Sequence, residues 1–310
     1  MDSNSKNNVP NTVYHYTSPS GLLGIVDNGE DSKNAKLWFT RWDSLNDKNE
    51  RYDIQEVLKE YKELKGNDIR EEFQDAIQEL INTEVTKWDL PPILWNNDKN
   101  PSIDEPDPEN IYVCSFSTDR DSLPMWNYYS KSSHYEGYAL GINLEKWKKY
   151  AKISGGYTLD VRQILYQEED KIEKLDEVVS KFEEHLKIVQ KNPQTIVGPE
   201  WIKHAFLLRI AELQFFFKNK HFSHEKEVRV ILQIPKDKDI SNELPTKYRT
   251  GYGYTIPYVE VPMPKEAITS VRVGPLFDKE LAKKNVNVKE MLESRGCSCD
   301  VYTSEISIRY

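Results

Sequence analysis

The residues best suited to chemistry in this 310-residue chain fall into four short stretches. The first is Val13-Tyr14-His15-Tyr16-Thr17-Ser18. It reads as a strand of β-forming residues closed by Ser18-Pro19-Ser20-Gly21, with Leu22, Leu23, Ile25 and Val26 behind it as an apolar helix. A helix start that follows a strand points backbone N–H groups outward, where they bind phosphate. Beside such a site an imidazole can donate to a ribose hydroxyl, and a tyrosine ring can lie against a planar base. That makes His15, Tyr16 and Thr17 candidates. A lone strand histidine satisfied by its own fold is the competing reading of His15.

The second stretch is Glu225-Lys226-Glu227, expected to open a strand running from Glu225 to Ile234 with Glu225, Glu227, Arg229 and Ile231 on one face. On a regular strand the two carboxylates then stand roughly 7 Å apart at Cα. Such a pair can raise one pKa or stabilise a developing cation. The plainer alternative is a solvated edge in which the glutamates pair with Arg229 and lysines. The third stretch, Trp126-Asn127-Tyr128-Tyr129, is an aromatic cluster at helical spacing that serves either as core or as a ligand platform. The fourth, Asn46-Asp47 with Glu50, follows the strand Lys36–Thr40 and reads as a helix cap or as part of the same site. The expectation is that Thr40, Asn46, Trp126, Tyr129 and Arg229 join His15, Tyr16, Thr17, Glu225 and Glu227 around one nucleotide-reading cleft.

Positioning these stretches requires a mixed α+β scaffold. Ile54, Val57, Leu58, Tyr61 and Leu64 recur at helical spacing, as do Phe73, Ile77, Leu80, Ile81 and Val85. Residues 89–110 hold five of the sixteen prolines, the composition of a long surface connection. Short strands follow at 111–116, 138–144 and 161–166. Two helical stretches come next, and the second, Trp201 to Phe217, is apolar enough to be buried. Further strands are expected at 225–234, 258–261, 269–274 and 300–309. Strands and helices are interspersed without strict βαβ alternation, so the fold class is α+β with mainly antiparallel sheets. Residues 1–11 are expected to be a disordered tail and 12–310 a single domain, with a helical insert or subdomain near 168–217.

Bulk properties narrow the classes of function. A net charge of −9 lowers the case for a non-specific nucleic-acid binder. Aromatics at 11% fit a globular chain. Three cysteines, no long apolar run and no recognisable signal peptide lead to an expected cytoplasmic setting with no membrane contact. Cys297 and Cys299 lack the second ligand pair of a zinc site, so no metal is expected. No Walker loop, dinucleotide glycine fingerprint or H-E-x-x-H motif occurs.

The four stretches together resemble a bacterial family labelled domain of unknown function 2971. The resemblance rests on Tyr14–Thr17, Asn46-Asp47 with Glu50, Met125-Trp126 with Tyr129, Gly137 and Gly141, and Glu225-Lys226-Glu227-Val228-Arg229. Val273-Gly274-Pro275 and Ser304 to Arg309 match its closing landmarks, while Lys48 stands where a proline usually follows Asn-Asp. The layout is also distantly similar to ADP-ribosyltransferases. That similarity implies a cleft between two small antiparallel sheets, with NAD as substrate. His15 and Thr17 would hold ribose and the amide side of nicotinamide, and Tyr16 or Tyr129 would stack on the ring. Glu227, the second glutamate of the pair and preferred over Glu225, would stabilise the oxocarbenium-like transition state. The implied acceptor is an unknown protein or nucleic acid, and the implied role is a toxin or anti-phage effector. Two alternatives stand beside this: a nucleotide- or protein-binding sensor without catalysis, and a hydrolase using His15 with Glu225 and Glu227 as metal ligands.

Overall fold

A computed structural model describes residues 9–27, 33–45, 52–85, 88, 111–129, 136–155, 157–191, 198–234, 244–251, 253–275 and 281–307. Asn46, Asp47 and Glu50, the 89–110 connection and most of the N-terminal tail lie outside the described residues. The chain divides into two compact units, one drawn from Met1–Ser44, Glu109–Gln163 and His224–Tyr310, the other from Leu45–Pro108 and Ile164–Ser223.

The second unit is helical: α2 (Asp53–Lys65), α3 (Glu71–Asn82), α6 (Glu168–Lys191) and α7 (Pro199–Glu212). Leu175, Val178, Val179, Phe182 and Leu186 recur at the three- and four-residue spacing that lines one helix face, and all are buried. Phe206 of α7 joins them, its ring centroid 4.6 Å from Phe73 and 5.6 Å from Phe182. The apolar run expected to be helical as far as Phe217 leaves the α-helix at Glu212 and continues as a 3-10 turn over Leu213–Phe215.

Among the described residues the first unit is built on a mainly antiparallel sheet of ten strands. In chain order these are β1 (Thr12–Thr17), β2 (Asn34–Arg41), β3 (Ile111–Ser117), β4 (Tyr138–Asn143), β5 (Leu159–Gln163), β6 (Glu227–Gln233), β7 (Lys247–Gly251), β8 (Tyr254–Pro264), β9 (Ile268–Val273) and β10 (Asp300–Thr303). The spatial order is β10-β9-β4-β1-β3-β2-β8-β7, with β6 on β3 and β5 on β6, and among the described strands only the β9–β10 pair is parallel. Its helices are α1 (Pro19–Val26), α4 (Leu123–Tyr129), α5 (Leu144–Tyr150) and α8 (Leu281–Ser294). Val13, Phe39, Phe116, Leu140, Val228, Val259 and Val271 alternate along their strands and meet Leu22, Ile25, Trp147 and Leu292 in one continuous core.

The turn from β1 into α1 forms as its sequence suggests. Ser18 caps the helix by accepting from Gly21 N at 3.2 Å, and Pro19 takes the first turn, where its missing N–H costs nothing. A Cβ on Gly21 would sit 2.0 Å from Thr17 Oγ1, so only glycine allows this close approach.

Candidate functional site

Strand β3 has three neighbours, and their registers define a fork. Along one edge β6 pairs with it fully, from Ile111↔Gln233 to Ser117↔Glu227. The opposite edge is shared: β1 meets it at one end through Tyr14↔Ser117, and β2 at the other through Thr40↔Val113 and Arg41↔Tyr112. Between these contacts lie Cys114, Ser115 and Phe116, where β1 and β2 diverge. His15 serves this gap, its Nδ1 3.2 Å from the carbonyl oxygen of Ser115.

The same registers sort side chains by face, because directly opposed residues of an antiparallel ladder point the same way. Tyr14, Ser117 and Glu227 are in line, as are Ser115, Arg229 and Arg162, so these six share one face. Thr40 and Trp38 of β2 and Lys247 and Arg249 of β7 fall on it as well. The other face is the apolar core. His15 belongs to that core face: it lies beside Tyr14 in sequence, and its ring centroid is 5.5 Å from Phe116. Burial lowers the His15 pKa by disfavouring imidazolium, only partly opposed by the Ser115 carbonyl. The structure therefore places His15 and Glu227 on opposite sides of the sheet, not around a common pocket.

Glu227 and Arg229 form the charged centre of the polar face. Arg229 Nε donates to Glu227 Oε1 at 2.8 Å and Nη2 lies 3.4 Å from Oε2, with both side chains almost fully buried. Beside them Arg162 Nη2 pairs with Asp160 at 2.9 Å. The expected strand from Glu225 begins instead at Glu227. Glu225 is the last residue of a 3-10 turn, and Lys226 has φ 46°, left-handed backbone that a side chain disfavours. The period-two argument for a coplanar glutamate pair thus fails at Lys226. Glu225 is held by its main chain, its carbonyl accepting from Ser117 Oγ at 2.7 Å. Lys226 reaches Asp119 Oδ2 at 2.9 Å; burial opposes ionisation of Asp119, but this bond and the Asp121 N–H outweigh it and its pKa is lowered.

The aromatic candidates divide. Tyr16 is buried edge-on against Trp126, ring centroids 4.7 Å apart; its hydroxyl donates to Asp119 O at 2.8 Å and accepts from Ser122 N at 2.9 Å. Burial drives its pKa up. Trp126 is equally enclosed and donates from Nε1 to Asp121 Oδ1 at 2.9 Å. These two rings, with Met125 and Ala139, make a second small core instead of a stacking platform. Tyr128 and Tyr129 remain exposed, and Tyr128 stacks on His224 at 5.6 Å. Thr17 lies on the core side, against Gly21.

One group went unnoticed at the sequence level. Arg249 Nη2 donates to Thr40 Oγ1 at 2.9 Å, and its guanidinium lies 5.9 Å from the Trp38 ring, which in turn sits 4.7 Å from Tyr258. The signal was available: Gly251 and Gly253 punctuate a run of β-formers and mark the β7–β8 hairpin. Burial raises the pKa of the Cys114 thiol, with the charge of Arg249 opposing that shift and the charge of Glu227 adding to it.

Among the described residues no group of three or more His, Cys, Asp or Glu is placed to hold a metal, and no helix is long and apolar enough to cross a membrane. No curated protein and no solved structure matches the chain. Residues 125–230, about a third of the 310, match the model of a family described as "Protein of unknown function (DUF2971)", and the matched span includes α4 from Met125 onward, Glu225, Glu227 and Arg229.

Proposed function

We propose that the polar side of the fork binds NAD and that Glu227 assists cleavage of the nicotinamide–ribose bond. ADP-ribose would then pass to a protein or nucleic-acid acceptor, or to water. The observation that carries this reading is a buried carboxylate clamped by Arg229 on a sheet face otherwise set with Tyr14, Ser115, Ser117 and Thr40. As the bond breaks, its electron pair leaves with nicotinamide and positive charge grows on the ribose. A carboxylate already fixed in a poorly solvated site stabilises that charge without reorganising. In this reading His15 holds the edge of β3 open at the fork, and Thr17 supports the α1 turn. Modification of a macromolecule or depletion of NAD is the chemistry of a toxin or anti-phage effector.

One observation favours a second reading, a nucleotide sensor without turnover: Arg229 neutralises Glu227, and a neutralised carboxylate does less for an oxocarbenium ion. Purified protein mixed with NAD, with and without cell lysate, separates the two through free nicotinamide. Release abolished by Glu227→Gln supports the enzyme, with lysate dependence indicating transfer and lysate independence hydrolysis. Saturable NAD binding without release supports the sensor. Neither binding nor release overturns both.

A further inference from the structure

Arginines of the sheet unit come with carboxylates. Arg41 pairs with Asp43 at 2.8 Å, Arg120 with Glu305 at 3.2 Å, Arg162 with Asp160 at 2.9 Å, and Arg229 with Glu227 at 2.8 Å. Arg272 lies 3.7 Å from Asp121, and Arg295 3.3 Å from Asp27. Lys36 and Lys247, the other cations on this end of the polar face, share Glu260 at 3.5 and 2.8 Å. Arg249 is the exception among the described residues of this unit. It is half-buried, its polar contact is the neutral Thr40 hydroxyl, and its Nε is enclosed with no acceptor. A partly desolvated guanidinium without a counter-ion is a costly arrangement, and it is relieved by an anion.

The neighbouring ring shows what kind of anion fits. Trp38 is 45% exposed although both Arg249 and Tyr258 lie near its ring. An indole held in place by a guanidinium and a second ring, yet open to solvent, is a surface on which a heterocycle can stack. We infer that Arg249 and Trp38 form the recognition site for a nucleoside phosphate, with a phosphate oxygen on the Arg249 guanidinium and the base against Trp38. Thr40 orients the guanidinium from β2 by accepting from Nη2. This deepens, and rests on, the reading of the fork as a nucleotide site, because Thr40 connects the two places. It does not require that Glu227 cleave anything.

Calorimetric titration of AMP, adenosine and NAD into the full chain tests it. The unmodified protein is expected to bind AMP at least about tenfold more tightly than adenosine, the worth of one charge-assisted contact. Arg249→Gln should erase that preference while leaving adenosine binding in place, and Trp38→Ala should weaken both ligands. Arg249→Lys, which keeps the charge but loses the planar fork, provides a second variant and should fall between. Thermal unfolding of each variant shows whether it is folded. If AMP and NAD bind the folded Arg249 and Trp38 variants as they bind the parent, this assignment is wrong while the fork reading survives. If the parent binds neither nucleotide, both fail. Arg249-dependent binding of AMP, without nicotinamide release from NAD, would sustain the inference and sink the proposed reaction.

Discussion

The two faces of the central sheet are made from the same strands by opposite rules. On the core face most of the alternating residues are apolar and enclosed, from Val13 through Phe116 and Val228 to Val259, with His15 and Thr17 of β1 as polar exceptions. On the other face the intervening positions carry Tyr14, Ser115, Glu227, Arg229, Arg162 and Arg249. A core face is held by area removed from water and tolerates any residue of similar shape. A polar face that is also buried must satisfy each charge individually, and its cost falls on whichever partner is removed. The contrast teaches where to look for function. Apolar alternation is needed for folding, whereas a buried ion pair and an uncompensated arginine are not.

The largest effects should come from emptying either face at its centre. Glu227→Ala leaves Arg229 buried without its carboxylate, and should cost about 3–5 kcal/mol in urea unfolding. Replacing both residues with Leu should recover most of that loss, because no charge is then stranded. If the double variant is no more stable than Glu227→Ala, the pair is doing more than neutralising itself. Phe116→Ala on the core face should cost a comparable 3–5 kcal/mol, about the penalty of a large cavity, with no rescue by a second polar change.

Tyr16→Phe should be milder. It removes one hydroxyl that satisfies both the Asp119 carbonyl and the Ser122 N–H, so about 1–3 kcal/mol is expected. The same group predicts alkaline behaviour. Folded Tyr16 keeps its proton above the ordinary tyrosine range, whereas the unfolded chain begins to lose it near pH 10, so stability should fall as pH rises beyond that point. Tyr16→Phe should make this part of the profile shallower by one proton's share, Tyr61 and Tyr112 being raised by burial in the same direction. An unchanged alkaline slope would show that another group is responsible.

Much of the scaffold was legible because its signals are local. Alternation announced β3, β4 and most of β6, helical spacing announced α2, α3 and α6, and Ser18-Pro19 with Gly21 announced the start of α1. What escaped reading depends on register or on a single backbone angle. Nothing in Tyr14-His15-Tyr16 states which neighbour faces the core; that follows from Tyr14↔Ser117 and Ser117↔Glu227, pairings across about a hundred residues. Trp126 and Tyr129 are two aromatics three residues apart on one short helix, and packing alone makes the first a core ring and the second a surface one. Arg249 looked like any arginine until its missing carboxylate could be seen against the paired ones.

His15 offers a test of the core side by pH. Its folded pKa lies below the ordinary 6.5, so the unfolded chain takes up a proton first as pH falls. Stability contributed by neutral His15 should be complete above about pH 7 and decline below 6.5, with a slope of at most about 1.4 kcal/mol per pH unit for one proton. His15→Gln should remove that slope. A His15 that instead faced a bound anion on the polar side would give the opposite sign, with stability rising on acidification in the presence of ligand.

The smallest effect bears on the boundary between the faces. Lys226 adopts φ 46°, where a Cβ is disfavoured, so Lys226→Gly should relieve strain of about 1 kcal/mol. Loss of its exposed bond to Asp119 offsets part of this, since surface ion pairs contribute at most about that much. The expected outcome is a protein stabilised by less than about 1 kcal/mol, whose strand still begins at Glu227. Lys226→Val makes the converse demand, because a β-branched residue strongly resists the left-handed region. It should either destabilise the chain or push Glu225 into the strand, bringing the two carboxylates onto one face as regular alternation would have it. Amide exchange at Glu225 distinguishes these results. A protected Glu225 N–H with a second titrating carboxylate would mean that a single backbone angle keeps this site at one glutamate.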